Sequence, residues 1–169
     1  DASGNAAGEE FQITPQTESG APHWENEPSV TSLKDGGFVV TWHDDYGMNT
    51  FFGQRFDAAG YHKGAEFQIN ADGDMWLGKA PITGLEDGGF VVIWHDEGAA
   101  IVGQRFDSSS TPTGDNFVVS QVGFHISPSV ASRDDGGFIV TWTSPDGDGQ
   151  GVFGQRFDAS GSPAGDEFQ

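Results

Sequence analysis

The stretch Asp87-Gly-Gly-Phe-Val-Val-Ile-Trp-His-Asp96, followed by Gly103-Gln-Arg-Phe-Asp107, decides the fold because it occurs three times. The first copy is Asp35-Gly-Gly-Phe-Val-Val-Thr-Trp-His-Asp44 with Gly53-Gln-Arg-Phe-Asp57. The third is Asp135-Gly-Gly-Phe-Ile-Val-Thr-Trp142 with Gly154-Gln-Arg-Phe-Asp158. From Gly53 to Gly103 is 50 residues, and from Gly103 to Gly154 is 51. A fixed period of this length is the signature of a repeat architecture, in which each unit buries its apolar faces against its neighbours.

Outward from that core, each unit reads as four strands. Strand A starts at a proline: Pro28-Ser-Val-Thr-Ser-Leu33, Pro81-Ile-Thr-Gly-Leu85, Pro128-Ser-Val-Ala-Ser132. Asp-Gly-Gly is a tight-turn signal, since glycine supplies the positive φ such turns need. Strand B (Phe38–Trp42 and its copies) is nearly continuously apolar and β-branched, so burial on both faces is expected. Strand C is Phe52–Phe56, Val102–Phe106 and Phe153–Phe157. Strand D is Glu66–Ile69 and Asn116–Val119, with a matching Glu10–Ile13 near the start. A phenylalanine follows each turn aspartate by ten positions, at Phe11, Phe67, Phe117 and Phe168. The expected division is residues 1–14 as strand D of a preceding or closing unit, then units at 15–70, 71–120 and 121–169. No segment carries a long helical period, so the chain is expected to be all-β. Four-stranded antiparallel repeats of about 50 residues match β-propeller blades, with a β-trefoil as the alternative.

Composition narrows the partners. The 169 residues include 26 acidic and 7 basic ones, a formal net charge of −19. Such a chain repels nucleic acid and anionic membranes and attracts multivalent cations. It has no cysteine, so the core, a metal or neighbouring units must hold it. No apolar run reaches membrane-spanning length. Starting at Asp1 without a signal-like segment, it reads as a piece of a larger or processed polypeptide.

The connections sort into two kinds. The A–B turn and C–D link hold their length between copies. The B–C loop varies (Trp42–Gly53, Trp94–Gly103, Trp142–Gly154), and the D–A loop varies most (Phe11–Pro28, Phe67–Pro81, Phe117–Pro128). In an antiparallel meander both variable loops fall at one edge, which in repeat proteins often serves binding.

The pattern Asp-Gly-Gly-Phe-Val-Val-Thr-Trp, an Asp/Gly-rich loop, Gly-Gln-Arg-Phe-Asp-Ala-Ser-Gly, then Gly-Asp-Glu-Phe-Gln resembles a repeat of very large secreted bacterial surface proteins. These are the calcium-dependent, RTX-associated, type I-secreted adhesin-like proteins of proteobacteria and cyanobacteria. The resemblance covers nearly the whole chain. It implies an extracellular, calcium-rich setting, a structural or adhesive role, and no enzyme activity. Ser144-Pro-Asp-Gly-Asp-Gly-Gln-Gly151 is closest to the family loop, whereas Asp44–Asn49 and Asp96–Ala100 depart from it. The nonapeptide calcium repeats of RTX proteins are absent.

Candidate sites lie mostly at the variable edge. Calcium takes several hard oxygen ligands, and Asp146 with Asp148 in Asp-Gly-Asp-Gly offers two carboxylates and free carbonyls. Asp44 with Asp45 and Asp96 with Glu97 are weaker pairs, and ordinary acidic turns explain all three loops as well. His43 and His95 follow the strand-B tryptophan and could ligate a transition metal, but partly exposed strand-end residues are expected. Trp24, Trp76 and Phe124 precede strand A and could stack on sugar rings, or else pack between units. Trp42, Trp94 and Trp142 are expected in the core. Arg55, Arg105 and Arg156 recur in an acidic chain. They are expected to pair with a turn carboxylate or cap free carbonyls, the alternative being an anion-binding ring. No nucleophile elbow, zinc-protease helix motif or phosphate loop is present. The expected partners are neighbouring repeats or other copies of the chain, then cell-surface or matrix glycans.

Overall fold

The turn after strand A shows why Asp-Gly-Gly recurs. In a computed structural model of the chain, Gly36, Gly88 and Gly136 have φ of 84°, 85° and 83°, the left-handed region that favours glycine. A Cβ on the second glycine (Gly37, Gly89 or Gly137) would run into the carbonyl oxygen of Phe56, Phe106 or Phe157. The aspartate closes the turn by accepting from that glycine's N–H, at 3.1 Å in Asp35, 2.9 Å in Asp87 and 3.2 Å in Asp135. All three residues of the motif are therefore required by backbone geometry.

The structure describes residues 3, 5, 8–14, 24–44, 50–70, 78–96, 100–121 and 125–169. Among them there is no helix, and the chain is all-β. The first sheet runs β1 (Glu25–Ser32), β2 (Phe38–Asp44), β3 (Thr50–Phe56) and β4 (Phe67–Gln68). The second runs β5 (Ile82–Gly84), β6 (Phe90–His95), β7 (Ile101–Phe106) and β8 (Pro112–Ser120). The third contains β9 (Ile126–Ser132), β10 (Phe138–Pro145) and β11 (Gln150–Phe157). A Gly154–Phe168 bridge stands where its fourth strand would be. All pairings are antiparallel and none of the sheets closes on itself.

The sheets stack face on face in chain order. One core joins Val39, Phe51 and Ile69 of the first unit to Ile82, Phe90, Val92, Trp94 and Phe106 of the second. Another joins Val91, Ile93 and Ile101 of the second to Phe138, Val140, Trp142 and Phe157 of the third. Both stacks share a three-ring contact. Phe90 stacks on Phe106 at 5.0 Å, and Phe67 of the preceding unit covers the pair at 5.8 and 5.4 Å. Phe138 stacks on Phe157 at 5.0 Å, covered by Phe117 at 5.6 and 5.3 Å. Phe38 stacks on Phe56 at 4.9 Å, with Phe11 at 5.9 Å from Phe56.

Strand C has glycine because the strand-D ring lies on it. A Cβ at Gly53 would come within 2.5 Å of Phe67 Cζ, and one at Gly154 within 2.7 Å of Phe168 Cζ. A hydrogen bond from a backbone N–H to a threonine hydroxyl adds to the packing at each of the two contacts: Gly84 N–H donates to Thr31 Oγ1 (3.0 Å) and Ser132 N–H to Thr83 Oγ1 (3.1 Å).

The structure corrects four expectations. Pro28 and Pro128 are inside β1 and β9, not at their first positions. Each strand begins earlier and passes an irregularity with positive φ at Glu27 (52°) or Ser127 (55°), where a ladder N–H is not needed. Residues 10–13 form no strand; Phe11 and Ile13 instead lie against the first sheet. Strand B is buried on both faces in β6, but β10 alternates, because the third sheet has a packed neighbour on one side only. His43 and His95, expected to be partly exposed, are buried, because alternate positions of β2 and β6 face the next sheet.

Candidate functional site

The recurrent polar residues of strand C work at the edge opposite the variable loops. Gln54 Nε2 donates to the carbonyls of Arg55 (2.8 Å) and Gly64 (3.3 Å). Gln104 and Gln155 repeat this with Arg105 and Gly114, and with Arg156 and Gly165. Each glutamine thus ties strand C to the link ten residues on, which accounts for that link's constant length. The aspartate that follows caps the next turn: Asp57 Oδ1 accepts from the N–H groups of Ala59 (2.9 Å) and Tyr61 (3.0 Å), as Asp107 and Asp158 do in their units.

The arginines are not equivalent. Arg55 pairs with Asp35 at 2.8 Å and also donates to the Ser108 carbonyl of the next unit. Arg105 pairs with Asp87 at 2.8 Å. In the third unit Arg133 takes the carboxylate of Asp135 at 2.6 Å, and Arg156 lies over the Phe168 ring at 5.9 Å. Asp35 also holds Lys63 at 2.8 Å. The hydrogen bonds from Lys63, from the Gly37 N–H and from Arg55 keep its carboxyl well below the usual carboxylate range.

Trp42, Trp94 and Trp142 are all buried. The variable edge carries the chemistry that differs between units. Asp45, Glu97, Trp76 and Phe124 lie outside the described residues. Asp44 pairs in register with Glu25, and both charges act on Glu66. Partial burial first, and then these two carboxylates, raise the Glu66 carboxyl. Glu25 and Glu66 escape a reading by sequence because they are far apart in the chain and influence each other only through the pairing of β1 to β4 in one sheet. Asp96 Oδ1 accepts from Ala100 N–H at 3.0 Å, an internal turn cap. Asp146 Oδ2 accepts from Gln169 at 3.1 Å, and Asp148 is exposed. Among the described residues no three His, Cys, Asp or Glu side chains converge as a metal site. Trp24 is 67% exposed, and its neighbours Glu25 and Asn26 help line a groove of about 160 Å³ with Ile13, Pro28, Val40 and Trp42.

The two histidines lie between sheets. His43 packs on Phe51 with ring centroids at 5.2 Å, and neither of its ring nitrogens has a hydrogen-bond partner among the described residues. His95 Nε2 is 2.8 Å from the His125 carbonyl. Burial pushes the His95 imidazole below its ordinary value, against the opposing effects of that carbonyl and of Asp96. The unfolded chain therefore takes up the proton first, and stability falls as pH drops below the unfolded value of about 6.5. The Asp35 contribution is lost in a separate window, below the unfolded carboxylate value of about 3.9. A melting temperature lower at pH 5.5 than at pH 7.5 is expected, with the difference reduced in His95→Gln. An equal drop in that variant would contradict the assignment.

No protein-family model matches this chain, and none of the curated proteins matches it.

Proposed function

We propose that the chain is a non-enzymatic structural module of a secreted bacterial surface protein, built of propeller-blade-like units that stack on each other and present their variable loops. One observation carries this reading. Apart from the strand C arginines, the residues that recur in all three units are taken up inside the frame: aspartates in turns, glutamines and glycines in the strand C–D link, tryptophans in the core. None of them is left to form a repeated catalytic or ligand site. The differences between copies gather at the B–C and D–A edge, where an adhesive or calcium-stabilised surface would lie. With a net charge of −19, nucleic acid and anionic membranes are poor partners for it.

Loop replacement tests this division. Exchanging residues 45–49, 97–99 and 147–149 for Gly/Ser/Asn segments of equal length should leave the unfolding midpoint in urea nearly unchanged. Loss of cooperative folding would count against it. Calcium stabilisation predicts a melting temperature that falls when EGTA is added, and an unchanged one removes calcium from the proposal.

Exposed Trp24 beside the polar-rimmed groove favours a second reading, a carbohydrate-binding module. Tryptophan faces with adjacent carboxylate and amide groups suit sugar rings. Binding on a glycan array, abolished in Trp24→Ala, would support it, and silence across the array at high protein concentration would remove it.

A further inference from the structure

The outer face of the third sheet carries the residues of an internal contact without its other half, and the outer face of the first sheet is covered only by Phe11 and Ile13. Val30 in β1 aligns with Ile82 and Val130, both packed against the preceding sheet. Val152 in β11 aligns with Phe51 and Ile101, both buried against the following sheet. Val30 and Val152 are each 66% exposed. They lie on opposite ends of the stack, one on a receiving face and one on a donating face. Phe168 on the donating side is also exposed, while its counterparts Phe67 and Phe117 sit on the Phe pairs of the next unit.

We propose that the donating face of the third sheet docks on the receiving face of the first sheet of a second copy, and that two copies close head to tail into a ring of six sheets. This rests on the stacking reading above. The count follows from closure. Rings of four-stranded sheets typically hold about four to eight members. One copy supplies three, too few, and three copies supply nine, too many. A heterologous contact that closes after two copies gives a finite particle and leaves no open face.

Charge agrees with this joint. Lys34 of the first unit bonds Glu86 across the first internal contact. Asp134 stands at the same turn position in the third unit, so the joint places it beside Lys34 of the second copy. By the same continuity Arg156 meets the Ala58 carbonyl of the second copy, as Arg55 meets that of Ser108. Phe168 displaces Phe11 from the Phe38–Phe56 pair, one phenylalanine for another, so docking moves the Phe11–Ile13 segment off this face. Ala131 replaces the hydroxyl that Thr31 and Thr83 offer, so the joint lacks that one hydrogen bond.

Native mass spectrometry and sedimentation velocity on the full chain test the ring. The expected result is a dimer of the 17.9 kDa chain with no larger species. A monomer up to the highest soluble concentration overturns the docking, and a ladder of growing oligomers overturns the ring. Val30→Glu and Val152→Glu should each give a monomer with an unchanged circular dichroism spectrum, since both side chains are exposed in the single copy. An equimolar mixture of the two variants should recover dimers, because one joint pairs an intact donating face with an intact receiving face. Variants that are monomeric alone and stay monomeric when mixed overturn the head-to-tail polarity. A monomer that still tolerates loop replacement removes the ring alone, whereas a dimer that unfolds on loop replacement removes the scaffold reading alone.

Discussion

Phe106→Ala is expected to cost about 3–5 kcal/mol of folding stability, the range for deleting a buried aromatic ring and leaving a cavity. Phe106 is almost fully buried, stacked on Phe90 at 5.0 Å and covered by Phe67 from the neighbouring unit at 5.4 Å. Its loss removes apolar burial and the ring geometry, the latter worth about 0.5–1.5 kcal/mol per pair. Because the ring stands between two sheets, the damage falls on the contact between units as well as on one hairpin. Tyr61→Ala, at an exposed turn position, is the control and should shift stability by no more than about 0.5 kcal/mol. Urea unfolding read by tryptophan fluorescence checks both. A Phe106→Ala midpoint close to wild type would mean the sheets do not depend on each other.

Gly103→Ala separates two opposing effects. Alanine in a strand is ordinarily better than glycine by about 0.5–1 kcal/mol, and Gly103 is not at positive φ. A Cβ there would nevertheless overlap the Phe117 ring and come within 2.7 Å of Ile93 Cδ1. Overpacking of this kind costs about 1–3 kcal/mol, so the substitution should be destabilising despite the propensity gain. The ring is the nearer obstacle, so removing it should relieve part of the penalty, with Ile93 accounting for the rest. In a cycle with Phe117→Ala, the double variant should be less destabilised than the sum of the singles by about 1 kcal/mol. Strict additivity would show that Gly103 is required for another reason.

How legible these features are in the sequence depends on how local they are. Asp-Gly-Gly, the strand residues that follow it and the constant ten-residue link specify turns and neighbouring strands, and those appear at the expected places. Burial is less legible. His43 follows the apolar run and looks like a partly exposed strand end, yet it is buried with Thr41 because the second sheet covers that face. Conversely, Ile139 and Val152 look like core but lack a cover on the third sheet. Period-two patterning says which residues share a face, not what lies against it. The start of β1 and β9 was hidden for a similar reason, since nothing in Glu27 or Ser127 announces positive φ. The influence of Glu25 and Asp44 on Glu66 depends on strand pairing, which local sequence does not display.

Native-state amide hydrogen exchange tests most directly the claim that units are held by stacking face on face. The second sheet has a neighbour on both faces, so amides of Val91–Trp94 and Gly103–Phe106 should exchange slowest, near the limit of global unfolding. In the monomeric Val30→Glu variant, their counterparts in β10 and β11 are covered on one side and should exchange faster. Equal protection in all three sheets, with Phe106→Ala affecting the second alone, would show three independent units and contradict the account.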